Sequence, residues 1–254
     1  MIKKLGISFV MSMLIIFSFV NLIFAKENQS PGKDKSKIIY EKSEIKDINK
    51  LLERAKNNVS DLNEDQNILQ FEASLEENNK SKSKSNNEKI ELKATSQLLK
   101  QTKKSDGTTV STYTTTIFTQ DVSKNIGVLS QGSNRDLWDG SLSVRAYSTY
   151  TFDRYEANGY VYHDILSCSG GWQRSDSTVG MSNRIVTYGA SGPRYSNDAF
   201  VQQSNTAYPS GNTFSYTAPS SWVPVKTSFS VGVSTWVTLS KGGSVWTLKL
   251  INKN

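Results

Sequence analysis

The segment HDILSCSGGW, residues 163–172, carries the only histidine and the only cysteine of the 254-residue chain. A thiol and an imidazole are the working parts of a cysteine hydrolase, where the imidazole takes the thiol proton. His163 and Cys168 are five residues apart. That odd separation puts them on opposite faces of a strand, about 16 Å from one another. Even a bulge that restored the face leaves them far beyond hydrogen-bond reach. On a helix they stand about 140° apart around the axis. The intervening residues, DILS, make a poor turn. Cys168 therefore reads as a small buried residue, and His163 as a surface or strand-edge residue near Arg154.

Other catalytic sets are equally thin. A Ser-His-Asp triad would have to use His163, and no G-x-S-x-G occurs. A structural or catalytic zinc needs several His or Cys ligands. Residues 106–254 hold nine acidic side chains with one glutamate, Glu156, which is a sparse supply for a pair of glycosidase carboxylates. Asp136 and Asp139, in NRDLWDG at 134–140, are the candidate metal ligands, with calcium as the ion. The competing reading makes them turn-forming aspartates beside a tryptophan. No cofactor is expected, and the chain reads as non-enzymatic.

The elements that would position any site divide at residue 106. Residues 1–25 combine Lys3 and Lys4 with a long apolar run and a small residue, Ala25, which is the pattern of a cleaved secretory signal. Once it is removed, no stable transmembrane segment is expected. Residues 26–105 hold no tryptophan, one tyrosine and one phenylalanine, with 17 basic and 14 acidic side chains. So few aromatics and so much charge predict a leader rather than a core. Within it, Ile45, Ile48, Leu52, Ala55, Val59, Leu62 and Leu69 follow heptad spacing. They predict a helix over about 43–75, with Ser43 as N-cap and a possible short coiled coil. A second helix is expected over 88–103, after a polar, disordered linker at 78–87. The net charge of +7 is spread along the chain, and no clustered basic face speaks for nucleic acid. An anionic envelope surface is a possible partner.

Residues 106–254 predict an all-β domain, an antiparallel β-sandwich of seven or eight strands, with a barrel as the alternative. Gly242-Gly243 suits a two-residue hairpin loop, so partners sum to 485. Leu239 then faces Trp246, Val237 faces Leu248 and Thr235 faces Leu250 on the buried side. Trp236 faces Lys249 on the other. A second hairpin at Asn158-Gly159 pairs Phe152 with Ile165, Arg154 with His163 and Tyr155 with Tyr162. It also sets Asp153 against Asp164, a like-charge pair that favours a shifted or bulged register. Further strands are expected at 108–119, 179–188 and 213–217.

Trp236, Lys249 and Tyr147 fall on outward positions, and an outward aromatic can stack on the apolar face of a sugar ring. They are the candidate ligand-binding residues, with a cell-envelope or extracellular glycan as partner. The competing reading covers Trp236 with a loop at 189–210 or with Lys249 itself. The runs SGGWQRSDSTV (169–179), IVTYG (185–189) and FSYTAPSSW (214–222) resemble small secreted proteins of Gram-positive bacteria. Those have a signal, a variable leader and a Ser/Thr-rich β domain. The resemblance implies export and fold. The expected function is a secreted glycan-binding module. The alternative is a secreted antagonist or membrane-active toxin with 26–105 as propeptide, and a hydrolase comes third.

Overall fold

The computed structural model describes residues 36–62, 70–77, 88–119, 144–157 and 159–253. The expected signal at 1–25, the expected linker at 78–87 and both Asp136 and Asp139 lie outside the described residues. Thirteen strands and one helix follow in order: β1 Lys37–Glu41, α1 Ile48–Lys56, β2 Gln70–Glu77, β3 Glu88–Lys89, β4 Leu92–Lys103, β5 Thr109–Thr119, β6 Val144–Ala157, β7 Tyr160–Arg174, β8 Gly180–Pro193, β9 Phe200–Ala207, β10 Thr213–Thr217, β11 Val225–Lys226, β12 Ser230–Lys241 and β13 Ser244–Lys253. Every strand pair is antiparallel. Sheet A runs β1-β4-β5-β6-β7-β10, with β11 beside β7, and sheet B runs β3-β2-β13-β12-β8-β9. The fold is an all-β sandwich.

The C-terminal hairpin has the expected register without a slip. Leu239 pairs with Trp246, Val237 with Leu248, Thr235 with Leu250 and Trp236 with Lys249. Gly242 and Gly243 have φ of 57° and 86°, which is the left-handed backbone a two-residue loop demands. In the β6–β7 hairpin the Asp153–Asp164 pair is real, and the register beside it is unshifted. The irregularity lies further on, between Thr151 and Phe152 on β6, where Leu166 of β7 is the extra residue. Thr112 donates a 2.5 Å hydrogen bond to Asp153 and takes up part of its charge.

The expected leader is the main correction. No helix covers 43–75, since α1 spans nine residues, and its N-cap is Asp47, whose carboxylate accepts from the Asn49 and Lys50 amides. Residues 70–77 are strand. In QFEASLEE the alternation of Phe71, Ala73 and Leu75 with Glu72, Ser74 and Glu76 is a period of two, and Ala73 and Leu75 are buried. Residues 88–103 are β3 and β4 rather than a helix. Both sheets depend on this region, because β4 pairs with β5 and β2 pairs with β13. Residues 34–254 form one compact unit. A cut near residue 105 would therefore strip strands from both sheets.

The two inner faces supply one core, with Tyr150, Phe152, Ile117 and Ile165 from sheet A meeting Val237, Leu239, Leu248 and Leu250 from sheet B. Asn252 crosses between them. Its side-chain amide, fully buried on β13, donates to the Thr115 and Ser148 carbonyls of sheet A at 3.2 and 3.0 Å. No helix among the described residues is long and apolar enough to cross a membrane.

Candidate functional site

The segment that carries α1 lies on the outer face of sheet A. Ile48, Leu51, Leu52 and Ala55 form one apolar stripe of the helix, at spacings of three and four. With Ile45 they pack on Phe118 and Tyr147. The Gln97 side chain of β4 fixes the approach. Its oxygen accepts from the Ile45 amide at 2.9 Å, and its nitrogen donates to the Ile45 carbonyl at 3.1 Å. Further along, Arg54 pairs with Asp61 at 3.1 Å, and Asp61 accepts from the Leu98 amide at 3.1 Å. The helix is thus held at both ends and cannot slide along the sheet without breaking these bonds.

Between this segment and the free part of the sheet face lies a cleft of about 390 Å³. Ile48, Leu51 and Tyr147 make an apolar wall, with the Tyr147 ring stacked on Phe118 at 6.3 Å. Burial raises the Tyr147 phenol above its ordinary range and keeps it a neutral hydrogen-bonding group. Strands β6, β7 and β10 supply the floor through Thr149, Thr151, Ser167, Ser169, Thr213 and Ser215. These alternate with core residues, so their side chains fall on the outer face by the strand period. Thr149 bonds Thr116 at 2.8 Å and Thr151 donates to Thr114 at 3.3 Å. Among the described residues, the hydroxyls of Ser167, Ser169, Thr213 and Ser215 bond no other protein group. Charge is confined to the rim, where Lys46 and Glu44 sit 3.8 Å apart. The cleft is neutral, hydroxyl-floored and walled by apolar groups on one side.

The three expected ligand-binding residues do not meet. Tyr147 lines this cleft on sheet A. Trp236 and Lys249 lie on the outer face of sheet B, with the Lys249 ammonium 5.9 Å from the centre of the Trp236 ring. Residues 189–210 are mostly β8 and β9 rather than one long loop, and Trp236 is flanked across its strand by Lys249 on one side and Ile185 on the other. A small trough on that face, about 140 Å³, runs over the paired Gly189 and Gly232.

His163 and Cys168 both face the core, because the Leu166 bulge restores the face between them. His163 is not at the surface. It is 4% exposed and its ring lies 4.3 Å from that of Phe152. Burial, and then the charge of Arg154, lowers it to about 3, so it stays neutral. Burial raises the Cys168 thiol to about 12, against a smaller opposing effect from the Tyr216 backbone. A thiol so raised supplies no thiolate near neutral pH. No group of three or more His, Cys, Asp or Glu with metal-binding geometry occurs among the described residues. Comparison with family models, curated proteins and solved structures finds no match.

Proposed function

We propose that this protein is an exported, non-enzymatic module that binds a neutral saccharide, from the cell envelope or the extracellular matrix of glycans, in the cleft beside α1. The observation that carries the reading is the pairing of an apolar aromatic wall with a floor of uncommitted hydroxyls. A sugar ring has the matching two-sidedness: its axial C–H face is apolar and its edge is a row of hydroxyls. The ring would lie against Tyr147 and Ile48, and its hydroxyls would exchange hydrogen bonds with Ser167, Ser169, Thr213 and Ser215. A neutral floor gives an ionic ligand no partner and leaves a buried charge uncompensated. The volume falls in the range of small-ligand sites. The Gln97 clamp supports the same reading, since a wall fixed in advance lowers the ordering cost of binding.

The test is glycan-array and calorimetric binding with three variants, each checked for native tertiary structure by near-ultraviolet circular dichroism. Tyr147→Ala removes the wall, Ser215→Tyr fills the cleft from an exposed floor position, and Trp236→Ala leaves the cleft intact. Loss of binding in the first two and retention in the third is the expected pattern. Binding that survives Tyr147→Ala and Ser215→Tyr but is lost in Trp236→Ala would move the site to sheet B.

A further inference from the structure

Strand β9, Phe200–Ala207, closes one end of sheet B. It pairs with β8 through eight consecutive residue pairs without a bulge, from Pro193–Phe200 to Val186–Ala207. Among the described residues no strand pairs with its far side. Edge strands of monomeric proteins are usually blunted by a charge, a proline, a bulge or short length. Of the other edges, β1 has Lys37, Glu41 and a register shift, β3 and β11 have two residues each, and β10 is uncharged but only five residues long. The sequence of β9, FVQQSNTA, has no charge and no proline, and its register is unbroken. Its Gln203 side-chain amide exchanges hydrogen bonds with the Val223 backbone at 3.0 and 2.8 Å.

Three exposed large apolar side chains flank this edge. Phe200 is 62% exposed and touches Phe229, 42% exposed, with ring centres 5.7 Å apart at one end of the strand. Tyr208, 75% exposed, follows its other end. We propose that β9 is a self-association edge and that its occupant is a second copy of this chain, paired antiparallel about a two-fold axis normal to the sheet. Such an axis keeps both outer faces on the same side, so opposed residues must share parity. The register centred on Ser204 satisfies this. It sets Ser204 against Ser204, Gln203 against Asn205, Gln202 against Thr206, Val201 against Ala207 and Phe200 against Tyr208. The exposed aromatics then cover one another twice, and no charge is brought to the axis. Two six-stranded sheets become one of twelve strands. A short foreign strand would satisfy the same backbone edge, but without the reciprocal Phe200–Tyr208 contacts that the two-fold supplies.

The experiment is sedimentation equilibrium of the full chain over a wide concentration range, with Ser204→Lys and Ser204→Asp as variants. Position 204 is exposed and faces outward, and the fold of each variant is checked by near-ultraviolet circular dichroism. The wild type is expected to approach twice the monomer mass. Each variant alone, with two like charges at the axis, is expected to dissociate at least tenfold more readily. An equimolar mixture of the two variants is expected to recover the doubled mass, which a merely damaged fold would not do. A wild type that stays monomeric at all concentrations overturns the proposal. So does a Ser204→Lys protein that dimerises like the wild type, and so does a mixture no heavier than its components.

Discussion

Replacing Asp164 by asparagine should stabilise this protein near neutral pH, by an amount that vanishes in acid. Asp164 and Asp153 face one another across β6 and β7. Burial, and after it the Asp153 charge, raises the Asp164 carboxyl from 3.8 to about 6. Two units of pH correspond to roughly 3 kcal/mol at 1.36 kcal/mol per unit. Asp164 is part exposed on the outer face, and screening by water brings that to about 1 kcal/mol. The folded chain keeps this proton up to about pH 6, whereas the unfolded chain releases it near pH 4. Between those values the folded state binds more protons, so stability falls as pH rises. His163 acts in the opposite sense. Its folded value is lowered to about 3, so its contribution is complete above about pH 6.5 and is lost as pH falls toward 3. The two slopes oppose one another in the wild type. Because His163 titrates in both proteins, the difference between wild type and Asp164→Asn isolates Asp164. Urea unfolding followed by tryptophan fluorescence should show the variant about 1 kcal/mol more stable above pH ~7, with the gap closed by about pH 4. A gap that does not change with pH, or a variant less stable than wild type at neutral pH, would refute the reasoning.

Gln97→Leu should cost about 1–3 kcal/mol, since it leaves the Ile45 amide and carbonyl without their partner. Its signature should be faster amide exchange across 45–62 while β12 and β13 remain protected. Asn252→Leu removes the hydrogen bonds to Thr115 and Ser148 and should cost about 2–3 kcal/mol in urea unfolding. An aromatic disulfide reagent should leave Cys168 untouched in the native protein and modify it fully in denaturant. Rapid native modification would show that the thiol is neither buried nor raised.

The β-hairpins were legible because their determinants are local. Gly242-Gly243 sets the loop, and the alternation of Val237 and Leu239 against Leu248 and Leu250 admits one register. Local rules also located the Asp153–Asp164 pair but misjudged its outcome. A like-charge pair argues for a slip only until the neighbours are counted, and Thr112 on β5 is a neighbour that no hairpin rule contains. Residues 26–105 failed for a different reason. Ile48, Leu52 and Ala55 do lie on one helical stripe, but the heptad continues by coincidence into Val59 and Leu62, where the chain has already left the helix. Low aromatic content concealed β2 and β4, whose buried positions are filled by Ala73, Leu75, Ser96 and Gln97 rather than by large rings. Residues 189–210 read as loop because Gly, Ser, Asn, Asp and Pro make up half of them, yet β9 takes its order from β8 and not from its own hydrophobicity. The cleft was half legible. Alternation put Tyr147 on the outside, while the rest of its wall, Ile48 and Leu51, lies about 100 residues earlier and joins it where Gln97 holds Ile45.

The position of β13 sets the order in which this chain can mature. The last strand is an interior member of sheet B, hydrogen-bonded to β2 on one side and β12 on the other. A chain emerging from the ribosome at 5–20 residues per second therefore has β2 available many seconds before its partner exists. Until residue 253 is free, β2 has an open edge, and sheet A lacks the Asn252 amide that ties Thr115 and Ser148 to the opposite sheet. Sheet A can zip hairpin by hairpin through β4 to β7, but sheet B closes only once β13 exists. The β2 and β12 halves of sheet B thus stay unjoined until β13 has been made. Loss of β13 is therefore a failure of the whole sheet rather than of its margin.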